Sequence, residues 1–157
     1  MKTLFEDWLK SPQLSEVRVD YVSSQADDCR PSLTCPDDAN RYLRKVWNLN
    51  TIEIQEEFYV LLLNGNKKCI GWTMTSRGGK KATIVEVQQI VTIALLTNAA
   101  SIIIAHNHPS GTLSPSTADI NLTQRIIKAL KIMGLELDDH IILTREDYFS
   151  FRSAGRL

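Results

Sequence analysis

No stretch of the chain stays apolar for the roughly 18 to 20 residues that a membrane helix needs, so no membrane span is expected. Cysteine is scarce. Cys29, Cys35 and Cys69 are too few, and odd in number, to build a disulfide framework. No C-x-x-C pair offers thiolates to a zinc ion. Net charge is missing as well: Lys+Arg and Asp+Glu stand at 18 each. The overall field therefore gives no reason to bind nucleic acid or an anionic membrane. No internal repeat and no low-complexity tract occurs. Met1-Lys2-Thr3-Leu4-Phe5-Glu6-Asp7 carries acids where a signal peptide would have its apolar segment. These absences predict a reduced protein of the cytoplasm.

What is present suits one globular domain with a short arm. The chain has 157 residues, 43% of them apolar and 23% charged, enough to bury a core without disulfides or metals. Residues 1–36 read as the arm. Leu4, Phe5, Trp8 and Leu9 predict a short amphipathic helix over 1–13 that Pro12 ends. Residues 16–22 alternate polar and apolar as a strand does. Residues 23–36 are polar, contain Pro31 and Pro36, and predict a loop in which Cys29 and Cys35 have no metal role.

The domain then runs over 37–157. A helix opens at Pro36-Asp37-Asp38 and reaches Trp47, with Ala39, Tyr42, Leu43 and Val46 as its apolar stripe. Residues 57–63 form a nearly continuous apolar strand, buried on both faces. Asn64-Gly65-Asn66 turns the chain into a partner strand over 68–75, where Cys69 is packing. Arg77-Gly78-Gly79-Lys80-Lys81 is a solvated turn. It lacks the further glycines and the Lys-Ser/Thr ending of a phosphate loop. A short strand over 83–85 and a helix over 87–98 follow. Next come a strand over 101–105, a helix from Ser114-Pro115-Ser116 to Met133 with Gly134 after its end, and strands at 135–143 and 148–151. The order β-β-β-α-β-α-β-β predicts an α/β three-layer sandwich, a mixed sheet flanked by helices.

One stretch stands out. His106 and His108 are two residues apart at the mouth of the strand, so extended backbone points both side chains the same way. Pro109 and Gly111 then turn the chain, and Asp119 arrives in the first helical turns. Two imidazoles and a carboxylate make a three-ligand zinc site with the fourth position left for water, the pattern of a catalytic centre. Such an ion lowers the pKa of its water to roughly 7 and polarises a carbonyl. Glu56 and Glu57, at the head of the buried strand, are the candidate bases. Ser116 offers a hydroxyl to an oxyanion, a role compatible with capping the helix. His140 has a mainly structural role, with a secondary reading as support for a ligand.

These residues carry a family resemblance. The pattern His106-x-His108-x7-Ser116-x2-Asp119 resembles the JAMM signature of the JAB/MPN metalloproteases. The fuller string from His106 to Gly111 with Pro115-Ser116 is similar to the RadC branch of that superfamily, as are Asn98-Ala99-Ala100 and Asp139-His140-Ile141-Ile142. The resemblance implies Zn²⁺ held by His106, His108 and Asp119, with Ser116 beside the bound water. Matching Phe58-x-Val60-Leu61 to the family strand selects Glu56 as the base, with Glu57 as the neighbouring alternative. It also implies a JAMM/MPN, cytidine-deaminase-like sandwich. The expected function is a zinc-dependent hydrolase acting on a peptide or isopeptide bond of a protein or peptide substrate.

Two competing readings are a DNA-associated repair or mobile-element accessory protein and a metal-binding MPN scaffold. The first is disfavoured by neutral charge and by residues 1–36 being too short for the helix-hairpin-helix region of many RadC proteins. The second is disfavoured because every ligand is in place. Val87-Gln88-Gln89 stands where many relatives have a proline and a basic residue, which bears on substrate contacts and not on the metal set. An HNH nuclease spreads its residues over a longer unit, and a deaminase needs cysteine ligands that this stretch lacks.

Overall fold

The computed structural model describes residues 26–78 and 85–157. The expected helix over 1–13 and strand over 16–22 lie outside them, as do Gly79, Lys80, Lys81, Thr83 and Ile84. Val85, the remaining residue of the expected third strand, lies in no strand. Among the described residues no helix is long and apolar enough to cross a membrane.

The first helix, α1 (Pro36–Val46), has proline in its first turn, where a missing N–H costs nothing. Asp37 and Asp38 begin it and Arg44 and Lys45 end it, each sign matched to the helix dipole. Ala39 and Leu43, one turn apart, are its buried face. Strand β1 (Glu57–Leu63) is buried at every residue and pairs antiparallel with β2 (Cys69–Arg77). Helix α2 (Val87–Leu96) buries Ile90 and Ala94. Strand β3 (Ser101–Asn107), two residues longer than its apolar run, is also buried throughout. Helix α3 (Thr117–Ile132) ends at Gly134, whose φ of 70° places it in the left-handed region that glycine tolerates. Strand β4 (Glu136–Leu143) is continuous, and β5 (Tyr148–Ser150) is the last.

The sheet runs β2-β1-β3-β4-β5. Only β3 and β4 are parallel, the pair that α3 connects; every other pairing is antiparallel. A parallel neighbour requires a crossover, and α3 supplies it. Strand period two then sorts the core into layers. Tyr59, Leu61, Leu63, Ile103 and Ala105 face α1 with Leu43 and Trp47. Phe58, Val60, Leu62, Ile102 and Ile104 face Ile90 of α2 and Ile126 and Leu130 of α3. The architecture is an α/β sandwich of a mixed five-stranded sheet between helices. This parity governs the site, because β1 and β3 lie side by side with Phe58 opposite His106.

Candidate metal centre

Three elements meet where β3 ends. His106 is the penultimate residue of β3, on the α2/α3 face and 2% exposed. His108 lies one residue past the strand, anchored by its backbone N–H on Leu143 O at 2.9 Å. Its ring Nδ1 is 2.6 Å from Thr112 O. The chain reaches that position by turning at Gly111, where φ is 77°. Asp119 comes from the first turn of α3.

Ser116, and not Ser114, caps that helix, so Pro115 falls just outside it. The Ser116 hydroxyl accepts from the Asp119 N–H at 3.2 Å and donates to Asp119 Oδ2 at 2.7 Å. The Ser116 N–H donates to the same oxygen at 2.7 Å. This capping box clamps the Asp119 carboxylate toward the histidines.

The ligand atoms converge. His106 Nε2 and His108 Nε2 are 3.0 Å apart. His106 Nε2 lies 3.2 Å from Asp119 Oδ1, and His108 Nε2 lies 3.5 Å from Asp119 Oδ2. Tetrahedral zinc with ligands at 2.0–2.1 Å would hold its donor atoms about 3.3 Å apart. Two imidazole nitrogens with one carboxylate oxygen near each suit such an ion, one ligand atom from each residue lying within 4.8 Å of the others, and no cysteine takes part. Among the described residues this is the one His/Cys/Asp/Glu cluster with that convergence.

Electrostatics agree with a cation site. Burial pushes the Asp119 carboxyl up, but hydrogen bonds from His106, His108 and Ser116, with the charge of His106, outweigh it and hold it below the carboxylate range. The hydrogen bond to Asp119 raises the His108 pKa above the usual 6.5 against the opposing effect of burial, with Thr112 O and the charges of Asp119 and Glu56 adding to the rise.

The sign of the pH dependence follows. A raised histidine stabilises the fold below its unfolded value of 6.5, and that contribution fades as pH climbs through the folded value. The lowered Asp119 contributes above its unfolded 3.8 and is lost at stronger acid. In metal-free protein, Asp119→Asn is therefore expected to lower the denaturation midpoint more at pH 5.5 than at pH 8.5. Equal losses at both pH values would contradict the pairing.

The two candidate acids separate by parity. Glu56 shares parity with Phe58 and lines a cleft of about 400 Å³ together with His106, His108, Ser116 and Asp119. Its carbonyl still continues the β1/β2 ladder, accepting from Gly78 N at 2.8 Å. Glu57 belongs to the opposite face. It is fully buried, with Oε1 3.0 Å from Arg77 Nε and Oε2 accepting from the Tyr59 hydroxyl at 3.3 Å. Val85, Leu122 and Phe58 are among the apolar residues that line the cleft.

Two supporting residues were not singled out from sequence. Asn107, on the face opposite the histidines, is fully buried. Its Oδ1 accepts from the Glu57 N–H at 2.7 Å, and its Nδ2 donates to Ile52 O at 2.6 Å and Gln55 O at 2.8 Å. The segment that carries Glu56 is thereby tied to the strand that carries His106. A polar residue between two apolar-strand histidines was the available signal, since a buried amide must find partners. The other is Thr123, one turn after Asp119 and fully buried, which touches His140. His140 itself is fully buried, and burial keeps its pKa well below the usual 6.5, so the ring is neutral.

Comparison with known proteins bears on the family of the chain. The family profile described as RadC-like JAB domain matches residues 33–156. A UPF0758 protein of Porphyromonas gingivalis is 42% identical over 137 residues, which are 87% of this chain and 59% of that protein. A UPF0758 protein of Aquifex aeolicus is 36% identical over 128 residues, 82% of this chain and 54% of that one. The UPF0758 protein YfjY of Escherichia coli is 39% identical over 103 residues, 66% of this chain and 64% of that one. The chain thus spans less than two thirds of each of these relatives.

Proposed function

Because the chain belongs to the RadC-like JAB domain family, we propose that it is a zinc-dependent hydrolase of JAMM type that cleaves a peptide or isopeptide bond. The observation that carries the reading is a single cleft lined by the convergent His106, His108 and Asp119, a carboxylate at Glu56 and a hydroxyl at Ser116. A zinc ion bound there would bring the pKa of its water to about 7 and polarise the substrate carbonyl.

The residues divide the remaining work. His106, His108 and Asp119 hold the ion. Glu56 takes the proton of the attacking water and returns it to the leaving amine, a general acid–base role. Ser116 holds Asp119 in place through the capping box; its hydroxyl proton, on Asp119 Oδ2 in the resting site, would swing to the carbonyl oxygen as negative charge develops there, leaving the Ser116 N–H on the carboxylate. Val85, Leu122 and Phe58 give the cleft an apolar wall against which the substrate chain lies.

The test is metal removal. Zinc-loaded protein is expected to cleave members of a mixed peptide and isopeptide-linked substrate library, read by mass spectrometry. Chelator-stripped protein is expected to leave the library intact, and stoichiometric zinc to restore cleavage. Stoichiometric zinc uptake with no cleavage of any member would overturn the hydrolase reading in favour of a metal-binding scaffold.

A further inference from the structure

The donor set works only if each imidazole presents a lone pair, not an N–H, to the ion. For His108 the choice is local: Nδ1 faces the Thr112 carbonyl at 2.6 Å, an atom that can only accept, so Nδ1 carries a proton and Nε2 is the nitrogen left for the ion. His106 has no carbonyl to play that part. Its Nδ1 lies 2.9 Å from His140 Nε2, and either ring could in principle be the donor.

Proton counting resolves it. The Thr123 hydroxyl has one proton. Its oxygen is 2.6 Å from the Asp119 carbonyl oxygen and 2.6 Å from His140 Nδ1. A carbonyl cannot donate, so the hydroxyl proton goes to Asp119 O, and Thr123 must accept from His140 Nδ1–H. His140 is fully buried and stacked on the Phe151 ring at 4.5 Å, surroundings in which a second, charging proton is strongly disfavoured. Its Nε2 is therefore the bare nitrogen. His106 must then donate from Nδ1, so Nε2 is the nitrogen left to face the ion, 3.2 Å from Asp119 Oδ1 and 3.0 Å from His108 Nε2. The relay runs from the carbonyl of Asp119 through Thr123 and His140 to His106 Nδ1, joining α3, β4 and β3.

We infer that Thr123 and His140 are positioning residues that lock His106 in the tautomer presenting Nε2 to the metal. The inference rests on the zinc reading of the site, yet it makes a statement about the metal-free protein too. Outer partners of this kind change metal affinity by roughly 10–100-fold when removed.

The experiment uses the full chain, labelled with ¹⁵N-histidine. In metal-free protein at pH 7.5, long-range ¹H–¹⁵N correlation is expected to show Nδ1–H on both His106 and His140, with His140 Nε2 bare. Zinc affinity, read by competition with a chromophoric chelator, is expected to fall about 10–100-fold in Thr123→Val and His140→Phe, and to recover in Thr123→Ser, which restores the hydroxyl. Amide dispersion checks that the variants are folded. A bare Nδ1 on His106 in the wild type overturns the relay without any variant. So do folded Thr123→Val and His140→Phe proteins that bind zinc at wild-type affinity. Wild-type protein with the expected tautomers that takes up no zinc overturns the zinc reading and supports the relay as a device of the fold itself.

Discussion

Glu56→Gln protein is expected to bind zinc as the wild type does and to hydrolyse its substrate roughly 10²–10⁴-fold more slowly, the usual contribution of a positioned general base. Glutamine keeps the shape of the side chain and its place in the cleft but cannot take a proton. The effect falls on turnover, because Glu56 is no part of the His106–His108–Asp119 donor set. Glu57→Gln is the control. That carboxylate is fully buried on the opposite face against Arg77 and Tyr59, so its loss is expected to lower the thermal midpoint and leave turnover nearly unchanged. Turnover and zinc stoichiometry measured together on the three proteins decide the matter. Wild-type turnover in Glu56→Gln, or a collapse of turnover in folded Glu57→Gln, would remove Glu56 from the mechanism.

The second large effect concerns stability. Asn107→Ala strips three backbone groups of their partner at once: the buried Glu57 N–H and Ile52 carbonyl, and the part-buried Gln55 carbonyl. Each buried group left unpaired costs about 1–3 kcal/mol. The two buried ones alone therefore cost about 2 kcal/mol or more, a sizeable share of the ~5–15 kcal/mol that holds a domain folded. Chemical denaturation is expected to show the midpoint falling accordingly. In conditions where the variant remains folded, the slackened Glu56 segment is expected to reduce turnover more than zinc affinity, since the ligands sit on the other face of β3. A loss below about 1 kcal/mol would mean that water replaces the amide at little cost.

Much of the fold was legible in advance. The nearly continuous apolar run at 57–63 predicted a strand covered on both faces and the short one at 101–105 a buried strand, and every residue of β1 and β3 is buried. Pro36, Ser116 and Gly134 marked helix ends by backbone chemistry that operates locally. Where expectation and structure differ, tertiary pairing is the cause. Strand β3 extends through His106 and Asn107 because β1 and β4 continue to offer hydrogen-bonding partners there, although the side chains are polar. Strand β2 runs on to Arg77 because its ladder continues to Glu57. The region of the expected third strand includes Val85, which instead lines the cleft.

The candidate site divides along the same line. The chain alone determined the donor types and their spacing: two imidazoles on one side of an extended segment, a turn forced by Pro109 and Gly111, and an acid held by its own helix cap. These follow from short-range geometry that three or four consecutive residues dictate. The family resemblance picked Glu56 over Glu57, but its physical ground lies in the tertiary structure, because parity says that the two acids point oppositely and not which face receives α3. Only the tertiary structure brought His140 and Thr123 together behind His106, and bound Asn107 to the segment carrying Glu56. Those partners are far apart along the chain and are joined by burial, which obliges each polar group to find its complement.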